Sequence, residues 1–498
     1  MPLVCLSLTA KTIAENLAVL ERYRDHIDIA ELRADLLDPS EAFAVRDFPV
    51  LAGVPCILAV RRKCDGGGFV DGEGQRLVIL AKAIAYARPD KSANYAYVDL
   101  ENDFRVPSVE EACRTFGTRI IRSRHDIAGQ PPNLDEAWAD LALEPHEIPK
   151  LAVTPRSAAD FARLFTWASS LPPGERIIVG MGEYGLPSRV LAERIGTSIA
   201  YTSPLRAGLP GAAPGHLDPV VLEETYSFRT LDRNTVVYAL GGGVNVLASG
   251  TPKLHNAAFK ASGMNAVFVP IPSGDAASFL TALEATGARG AAVAVPLKES
   301  ICASLARRSP EVDDIGACNT LVREEGGWTG YNTDAQGFRR ALLEFLGVPD
   351  LRGLRATLIG AGGVAKAIAY VLADLGASAV VLNRTVSKAR SLAQRHGFAY
   401  GPSTEHSTEL VADHADIVIQ ATNVGMEGDR QGDPLDWYDL SGREAVFDLV
   451  YRPERSALLE RAAAAGCKTT NGWKMLRYQS AAQFKLWTGR EPPASYFS

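Results

Sequence analysis

No stretch of the 498-residue sequence approaches the ~18 unbroken apolar residues that a bilayer-spanning helix needs. The amino terminus, MPLVCLSLTAKTIAEN, also lacks the basic segment, long apolar core and small-residue cleavage site of an export signal, so a cytoplasmic protein is expected. Positive charge is not in excess: 52 Lys plus Arg against 58 Asp plus Glu leave a net charge of −6, no basic field for a nucleic-acid backbone. Cysteine is sparse and unpatterned. The seven (Cys5, Cys56, Cys64, Cys113, Cys302, Cys318, Cys467) form no C-x-x-C pair and no even framework, which argues against a disulfide scaffold or a metal site and for reduced thiols. Low-complexity tracts and short solenoid repeats are missing too. What the chain does have is apolar mass: 47% of its residues are hydrophobic and 22% charged, enough for two to four units with real cores.

In the first ~225 residues, short β-like runs alternate with helical stretches. Eight are countable: LVCLSLT from Leu3, IDIAELR from Ile27, CILAVR from Cys56, YAYVDLE from Tyr95, RIIRSRH from Arg119, IPKLAVT from Ile148, RIIVGMG from Arg176 and SIAYTSP from Ser198. Eight parallel strands with intervening helices make a (β/α)8 TIM barrel. Glu31, Arg33, Arg61, Glu101, His125 and Lys150 lie in or at the ends of different strands, where chemistry gathers in such barrels. Glu31 and Arg33 share a strand face, since side chains repeat every two residues. A Pro/Gly-rich stretch, GLPGAAPGHLDP (Gly208 to Pro219), reads as a mobile loop, followed by a short helix around Val220 to Tyr226 and a domain boundary near Thr230.

From Thr235 to about Asp334 the alternation resumes in a smaller α/β unit, through VVYALGGG, AVFVPI and GAAVAVP. Then LRATLIGAGGVAKAIAYVLADLGASAVVLNRT (Leu354 to Thr385) reads as strand, tight glycine turn, helix and strand, a Rossmann-type βαβ unit. MLRYQSAAQFKLWTG (Met475 to Gly489) has helical periodicity and is expected to pack back on the Thr235 to Asp334 unit. The expected domains are a barrel over 1–228, a substrate-binding domain over 232–340 completed by 475–498, and a nucleotide-binding domain over 341–474. The fold class is α/β throughout.

Lys150 sits among apolar residues in a predicted buried strand, where desolvation favours a neutral amine able to attack a carbonyl. His125, at the end of the preceding strand, is placed to shuttle protons beside it. Taken singly, each has a plain alternative: a strand-end lysine with its head in solvent, and a structural histidine.

Together with its neighbours this set resembles a known family. ELRAD (Glu31 to Asp35), R-x-x-x-D-G-G (Arg61 to Gly67), SRHD (Ser123 to Asp126), PKLAVTP (Pro149 to Pro155), LPSRV (Leu186 to Val190) and AAPGH (Ala212 to His216) resemble the type I 3-dehydroquinate dehydratases in order and spacing. The resemblance implies Lys150 as Schiff-base nucleophile and His125 as general acid/base. It implies Glu31, Arg33 and Arg61 on substrate hydroxyls and ring, Arg189 on the carboxylate and His216 in the closing loop. Three positions depart from the family: Asp65 replaces a glutamate beside the histidine, and Ala212 and His216 stand where the loop usually has Ser and Gln.

In the second half, Gly360, Gly362, Gly363, Val364 and Ala365 fit G-x-G-x-x-A directly after a strand. The following strand ends in Asn383, Arg384 and Thr385, where an NAD site would place an acid; Arg384 with Lys388 supplies positive charge for a 2′-phosphate, which argues for NADP. The alternative is a glycine-rich turn of an unrelated domain.

S-G-T-P-x-L-H-N (Ser249 to Asn256), AVPLK (Ala294 to Lys298), GACNTL (Gly316 to Leu321), GYNTDAQGF (Gly330 to Phe338), ATNVGM (Ala421 to Met426), FDLVYRP (Phe447 to Pro453) and NGWKMLRYQSA (Asn471 to Ala481) resemble shikimate dehydrogenase. The resemblance implies a catalytic pair, Lys298 and Asp334, which by themselves would read as a surface ion pair. It implies Ser249, Thr251, Asn319, Tyr451 and Gln479 on substrate, and Thr422, Asn423, Met426 and Gly472 at the cofactor. Ala292 and Ala294 replace an Asn and a Thr of the family's strand.

The expectation is a fused enzyme that dehydrates 3-dehydroquinate through an imine and reduces 3-dehydroshikimate to shikimate with NADPH. Its partners are these small molecules, with no metal, nucleic acid or membrane. The alternative keeps the dehydratase but has the second half act on quinate or a related polyol acid, or only bind ligand.

Overall fold

The computed structural model describes residues 1–85, 88–141 and 143–497. It divides into two compact units, Met1–Ala288 and Arg289–Ser498. Among the described residues no helix is long and apolar enough to cross a membrane.

All eight predicted strands of the first unit form: β1 Leu3–Leu8, β2 Ile29–Arg33, β3 Cys56–Ala59, β4 Tyr97–Glu101, β5 Arg119–Asp126, β6 Glu147–Val153, β7 Ile177–Gly180 and β8 Ile199–Thr202. They lie parallel in the order β7-β6-β5-β4-β3-β2-β1-β8. The remaining seam, between β7 and β8, is bridged by Ser198 N–H donating to Arg176 O (2.7 Å) and Ile178 N–H to Thr197 Oγ1 (2.8 Å). Most strand residues are buried, because helices cover one face and the strands' own side chains fill the other; Cys5, Ile29, Ile57, Ile121, Ile148, Ile177 and Ile199 supply that inner layer. Register then decides which polar residues meet. Ser123 lies opposite Lys150 and Glu101 opposite Ser123, which stacks β4, β5 and β6 around one point at the carboxyl end of the barrel.

The first unit continues through a short helix, Pro219–Tyr226, to a parallel pair, β9 Val236–Gly242 and β10 Ala266–Pro272. As a compact unit it runs to Ala288.

In the second unit, β11 Gly290–Val293, β12 Arg307–Arg308, β13 Thr320–Glu324 and β14 Gly327–Tyr331 lie in the order β11-β13-β14-β12, with antiparallel β11/β13 and β13/β14 pairs. The helix Thr333–Leu346 follows, and the carboxyl-terminal helix Trp473–Thr488 packs along it; Trp487 Nε1 of the latter donates to Leu321 O of β13. Six further strands, β15 Arg355–Ile359, β16 Ser378–Leu382, β17 Ala399–Gly401, β18 Ile417–Gln420, β19 Ala445–Asp448 and β20 Lys468–Thr470, form a parallel sheet ordered β17-β16-β15-β18-β19-β20. This is the doubly wound Rossmann arrangement, with its reversal between β15 and β18. Alternate residues feed two cores: Val381, Ile419 and Phe447 on one face with Ile368 and Leu372 of the helix Gly363–Asp374, and Val380, Val418 and Val446 on the other with Leu458 and Leu459.

Candidate functional site

At the carboxyl end of the barrel, Glu31, Arg33, Arg61, Asp65, His125, Lys150, Arg189, Tyr201 and His216 border one cavity. Glu101, the other strand residue singled out from sequence, does not border it and instead pairs with Arg61. Lys150, 5% exposed, carries its Nζ 2.7 Å from Asp99 Oδ2 and 4.2 Å above the Tyr201 ring. Asp99 also takes Arg61 Nη2 at 2.7 Å and accepts from Ser123 Oγ at 2.5 Å. Burial pushes the Asp99 carboxyl up, but the charges of Arg61 and Lys150 outweigh it and hold it well below the usual carboxylate range. His125 goes the other way. Burial, then the charges of Arg61 and Lys150, hold its imidazole well below the ordinary histidine value, so it is neutral and able to accept a proton.

The pocket's cations differ in what neutralises them. Arg33 is forked onto Asp35 (2.9 and 2.8 Å), and Arg61 meets Asp99 and Glu101 (2.7 Å each). Arg189 has only carbonyls, Tyr201 O at 3.3 Å and Pro214 O at 3.5 Å, and among the described residues no carboxylate pairs with it. Burial alone lowers it to about 9. Its Nε, His125 Nδ1 and Tyr201 Oη are all buried without a hydrogen-bond partner among the described residues. Since buried polar atoms are almost always paired, three orphans around one cavity mark the outline of a polar ligand.

Asp65 accepts from Arg62 Nε at 2.7 Å, and His125 Nδ1 has no partner among the described residues. Asp99, Tyr201 and Ser203 were not singled out. Asp99 was findable, because an acid inside a predicted buried strand, two residues before Glu101, must have a partner.

The second cluster forms within the Arg289–Ser498 unit. Lys298 Nζ lies 2.5 Å from Asp334 Oδ2, and Asn319 Nδ2 reaches Asp334 Oδ1 (2.9 Å), Thr333 Oγ1 (3.0 Å) and Gln479 Oε1 (3.2 Å). Asp334 is 1% exposed at the start of its helix, after the N-cap Asn332. Tyr451 packs on Trp473, ring centroids 5.6 Å apart. Ser249 and Thr251 belong to the first unit, where their hydroxyls bond to each other at 2.9 Å. Ala292 is buried on β11, and the backbone N–H of Val293 donates to Asn319 O.

The glycine turn after β15 fits a dinucleotide. Gly360 has φ +118°, and a Cβ there would stand 2.9 Å from Ala421 O at the β15/β18 reversal. Gly362 faces open space at the N-cap of the twelve-residue helix Gly363–Asp374, which begins with Gly363, Val364 and Ala365. Free N–H groups at such a helix start favour phosphate. Asn383 Nδ2 donates to Thr385 O (3.0 Å), while Arg384, just past β16, and Lys388, in the first turn of the helix Val386–His396, are exposed with no acidic partner among the described residues. Thr422 N–H donates to Gln420 Oε1, Asn423 Nδ2 to Asp429 Oδ2, and Met426 N–H to Asn423 O, shaping the loop after β18. Gly472 is required by close approach, since a Cβ would fall 2.0 Å from Leu449 O.

Comparisons with known proteins match four successive segments of the chain. Residues 4–233 match the model of type I 3-dehydroquinase, 242–321 that of the shikimate dehydrogenase substrate binding domain, 344–426 that of shikimate/quinate 5-dehydrogenase and 472–497 that of the shikimate 5′-dehydrogenase C-terminal domain. A bifunctional 3-dehydroquinate dehydratase/shikimate dehydrogenase of Arabidopsis thaliana, described as chloroplastic, is 29% identical over 99% of this chain and 83% of its own. A shikimate dehydrogenase (NADP(+)) of Moorella thermoacetica is 41% identical over 49% of this chain and 85% of its own. A Thermus thermophilus shikimate 5-dehydrogenase crystallised with NADP(H) and shikimate is 34% identical, covering 52% of this chain and 96% of that one with a TM-score of 0.46. The chain therefore belongs, in its second half, to the shikimate dehydrogenase family, and carries in front of it a type I 3-dehydroquinase domain.

Proposed function

We propose that the chain catalyses two consecutive steps, dehydration of 3-dehydroquinate to 3-dehydroshikimate in the barrel and reduction of that product to shikimate in the second unit. The observation that carries the first step is the set of orphaned polar atoms, from His125, Arg189 and Tyr201, surrounding a cavity that also holds the Lys150 amine. Lys150 Nζ passes a proton to neutral His125 and attacks the substrate ketone; His125 returns that proton to the oxygen, and loss of water leaves an imine whose positive charge lies beside the ionised Asp99. That charge acidifies the neighbouring C–H; neutral His125 takes the proton, then returns one to the departing β-hydroxyl, which leaves as water. Hydrolysis of the imine frees the enone and the amine. Arg189, the cation lacking an acid of its own, forks onto the substrate carboxylate. Glu31, Arg33, Arg61 and His216 hold its hydroxyls and ring.

In the second unit Lys298 and Asp334 act as a dyad that delivers a proton to the forming alkoxide, with Asn319, Gln479 and Tyr451 toward substrate. NADPH, when bound, supplies the hydride. Gly360, Gly362 and Gly363 cradle its phosphates, Arg384 and Lys388 its 2′-phosphate, and Thr422, Asn423, Met426 and Gly472 border its nicotinamide end. We place the enzyme in the cytoplasm, acting on small molecules.

A second reading rests on Ala292 and Ala294, methyls where the family has an amide and a hydroxyl. Losing those bonds weakens shikimate by about 0.5–1.5 kcal/mol each and favours quinate or a related acid. One coupled assay tests both: 3-dehydroquinate should drive NADPH oxidation and yield shikimate. Reduction of added 3-dehydroshikimate but not of 3-dehydroquinate would remove the barrel's role. Saturable oxidation of quinate in place of shikimate would replace the second.

A further inference from the structure

The loop after β8 lies across the mouth of the barrel, fastened at several points. Thr9 Oγ1 donates to Pro210 O (3.1 Å), Arg33 Nη1 to Ala212 O (3.1 Å) and Gly182 N–H to Pro214 O (3.0 Å). Gly215, at φ +78°, comes so close to Gly182 that a Cβ would stand 2.3 Å from its carbonyl oxygen. Ser203, fully buried one residue past β8, differs from these anchors because a single hydroxyl touches two points of the loop. Its Oγ accepts from Ala212 N–H at 2.9 Å and lies 2.6 Å from His216 Nδ1.

We propose that Ser203 is a positioning residue for the dehydration: its hydroxyl latches the loop over the cavity and fixes His216 in the tautomer that presents an Nε2–H donor to an oxygen of the substrate. The assignment rests on the dehydratase reading of the barrel. A serine hydroxyl has one hydrogen to give. With Ala212 N–H occupying a lone pair and no other acceptor at Oγ among the described residues, that hydrogen goes to His216 Nδ1. A neutral imidazole that accepts at Nδ1 carries its own hydrogen on Nε2. The ring is neutral: burial, then the charges of Arg189, Arg33 and Lys150, hold it well below the ordinary histidine value, outweighing a Thr202 backbone contact that favours protonation. His216 borders the cavity that Lys150 and Arg189 border, so a donor fixed there meets the bound molecule. Without the hydroxyl the imidazole is free to exchange tautomers and Ala212 N–H loses its acceptor, so loop and ring loosen together.

Steady-state dehydratase kinetics on the full-length chain test this with Ser203→Ala, His216→Ala and the double variant. Ser203→Ala should raise KM for 3-dehydroquinate about tenfold while kcat stays within about threefold. In the His216→Ala background the same change should add less than about half of its effect alone, because only the Ala212 N–H contact is left to lose. Trypsin cleavage after the exposed Arg206, next to the loop, should accelerate in Ser203→Ala. Ser203→Cys keeps the size with a weaker hydrogen-bonding group; it should give an intermediate KM and replaces Ser203→Ala should that variant fail to fold. A KM unchanged in both serine variants, or effects of Ser203→Ala and His216→Ala that multiply in full, would overturn the proposal. Absence of turnover in the unaltered chain would instead refute the dehydratase reading, and the trypsin rates would still report on the latch.

Discussion

The two clusters solve recognition in opposite ways. In the barrel, His125 Nδ1, Arg189 Nε and Tyr201 Oη are buried without partners among the described residues, and none of those residues supplies Arg189 with a counter-charge. In the second unit, Lys298, Asp334, Asn319, Thr333 and Gln479 already satisfy one another in a closed network. An unmet buried polar group costs about 1–3 kcal/mol, so the barrel trades stability for bonds that its substrate completes. The dehydrogenase cluster is assembled in advance, and its members hold one another's geometry. The same kind of substitution should therefore damage binding in one unit and stability as well as turnover in the other.

The largest effect falls on the nucleophile. Lys150→Ala should lower the dehydratase kcat by about 10⁴-fold or more and leave NADP-linked shikimate oxidation within about twofold. Asp334→Ala should do the reverse, cutting shikimate turnover by about 10²–10³-fold. It should also lower the melting temperature, since Lys298 and Asn319 lose a shared acceptor. A stable, merely slow Asp334→Ala enzyme would break the contrast.

Next come the two arginines of one cavity. Arg189→Leu should raise KM for 3-dehydroquinate about 10²-fold with little loss of stability, because no carboxylate is stranded. Arg61→Leu leaves Asp99 and Glu101 short of a partner and should cost about 3–5 kcal/mol in denaturant unfolding. Equal destabilisation by both would contradict the assignment of Arg189 as the uncompensated cation.

The pH dependence sharpens the same point. The His125 imidazole is held below its ordinary value in the folded barrel, so it stays a competent base as pH falls through about 6.5, the unfolded histidine value. Dehydratase kcat/KM should be level there and drop only in more acidic solution. Its unfolded form takes up a proton first, so the stability this neutral histidine contributes is full above about 6.5 and is lost as pH falls toward the folded value. An acid limb centred on 6.5 would show an ordinary, solvated histidine. The smallest effect is expected at Ala294→Thr, which should tighten shikimate binding about two- to tenfold and leave quinate unimproved; the opposite preference would favour quinate as the natural substrate.

Much of this architecture is readable in sequence because period and register are local. The eight barrel strands show as short apolar runs, and Lys150, His125, Glu31 and Arg33 are visible because a polar residue in a buried strand has to be explained. The glycine turn at Gly360 is visible because positive φ favours glycine. What escaped depends on pairing between distant segments. That Asp99 needs a partner is legible in its buried strand, but which partners it meets is set only when register places β4 beside β5 and β6. The roles of Ser203 and Arg62 come from loops that fold back over the mouth, and no spacing rule links Ser203 to His216 or turns Asp65 toward Arg62.

The measurement closest to the central claim is reduction of the full-length chain with borohydride in the presence of 3-dehydroquinate, followed by peptide mass mapping. The account predicts a substrate-dependent adduct on the peptide that contains Lys150, with Lys298 unmodified. Turnover of 3-dehydroquinate with no trapped adduct, or an adduct on a different lysine, would contradict it.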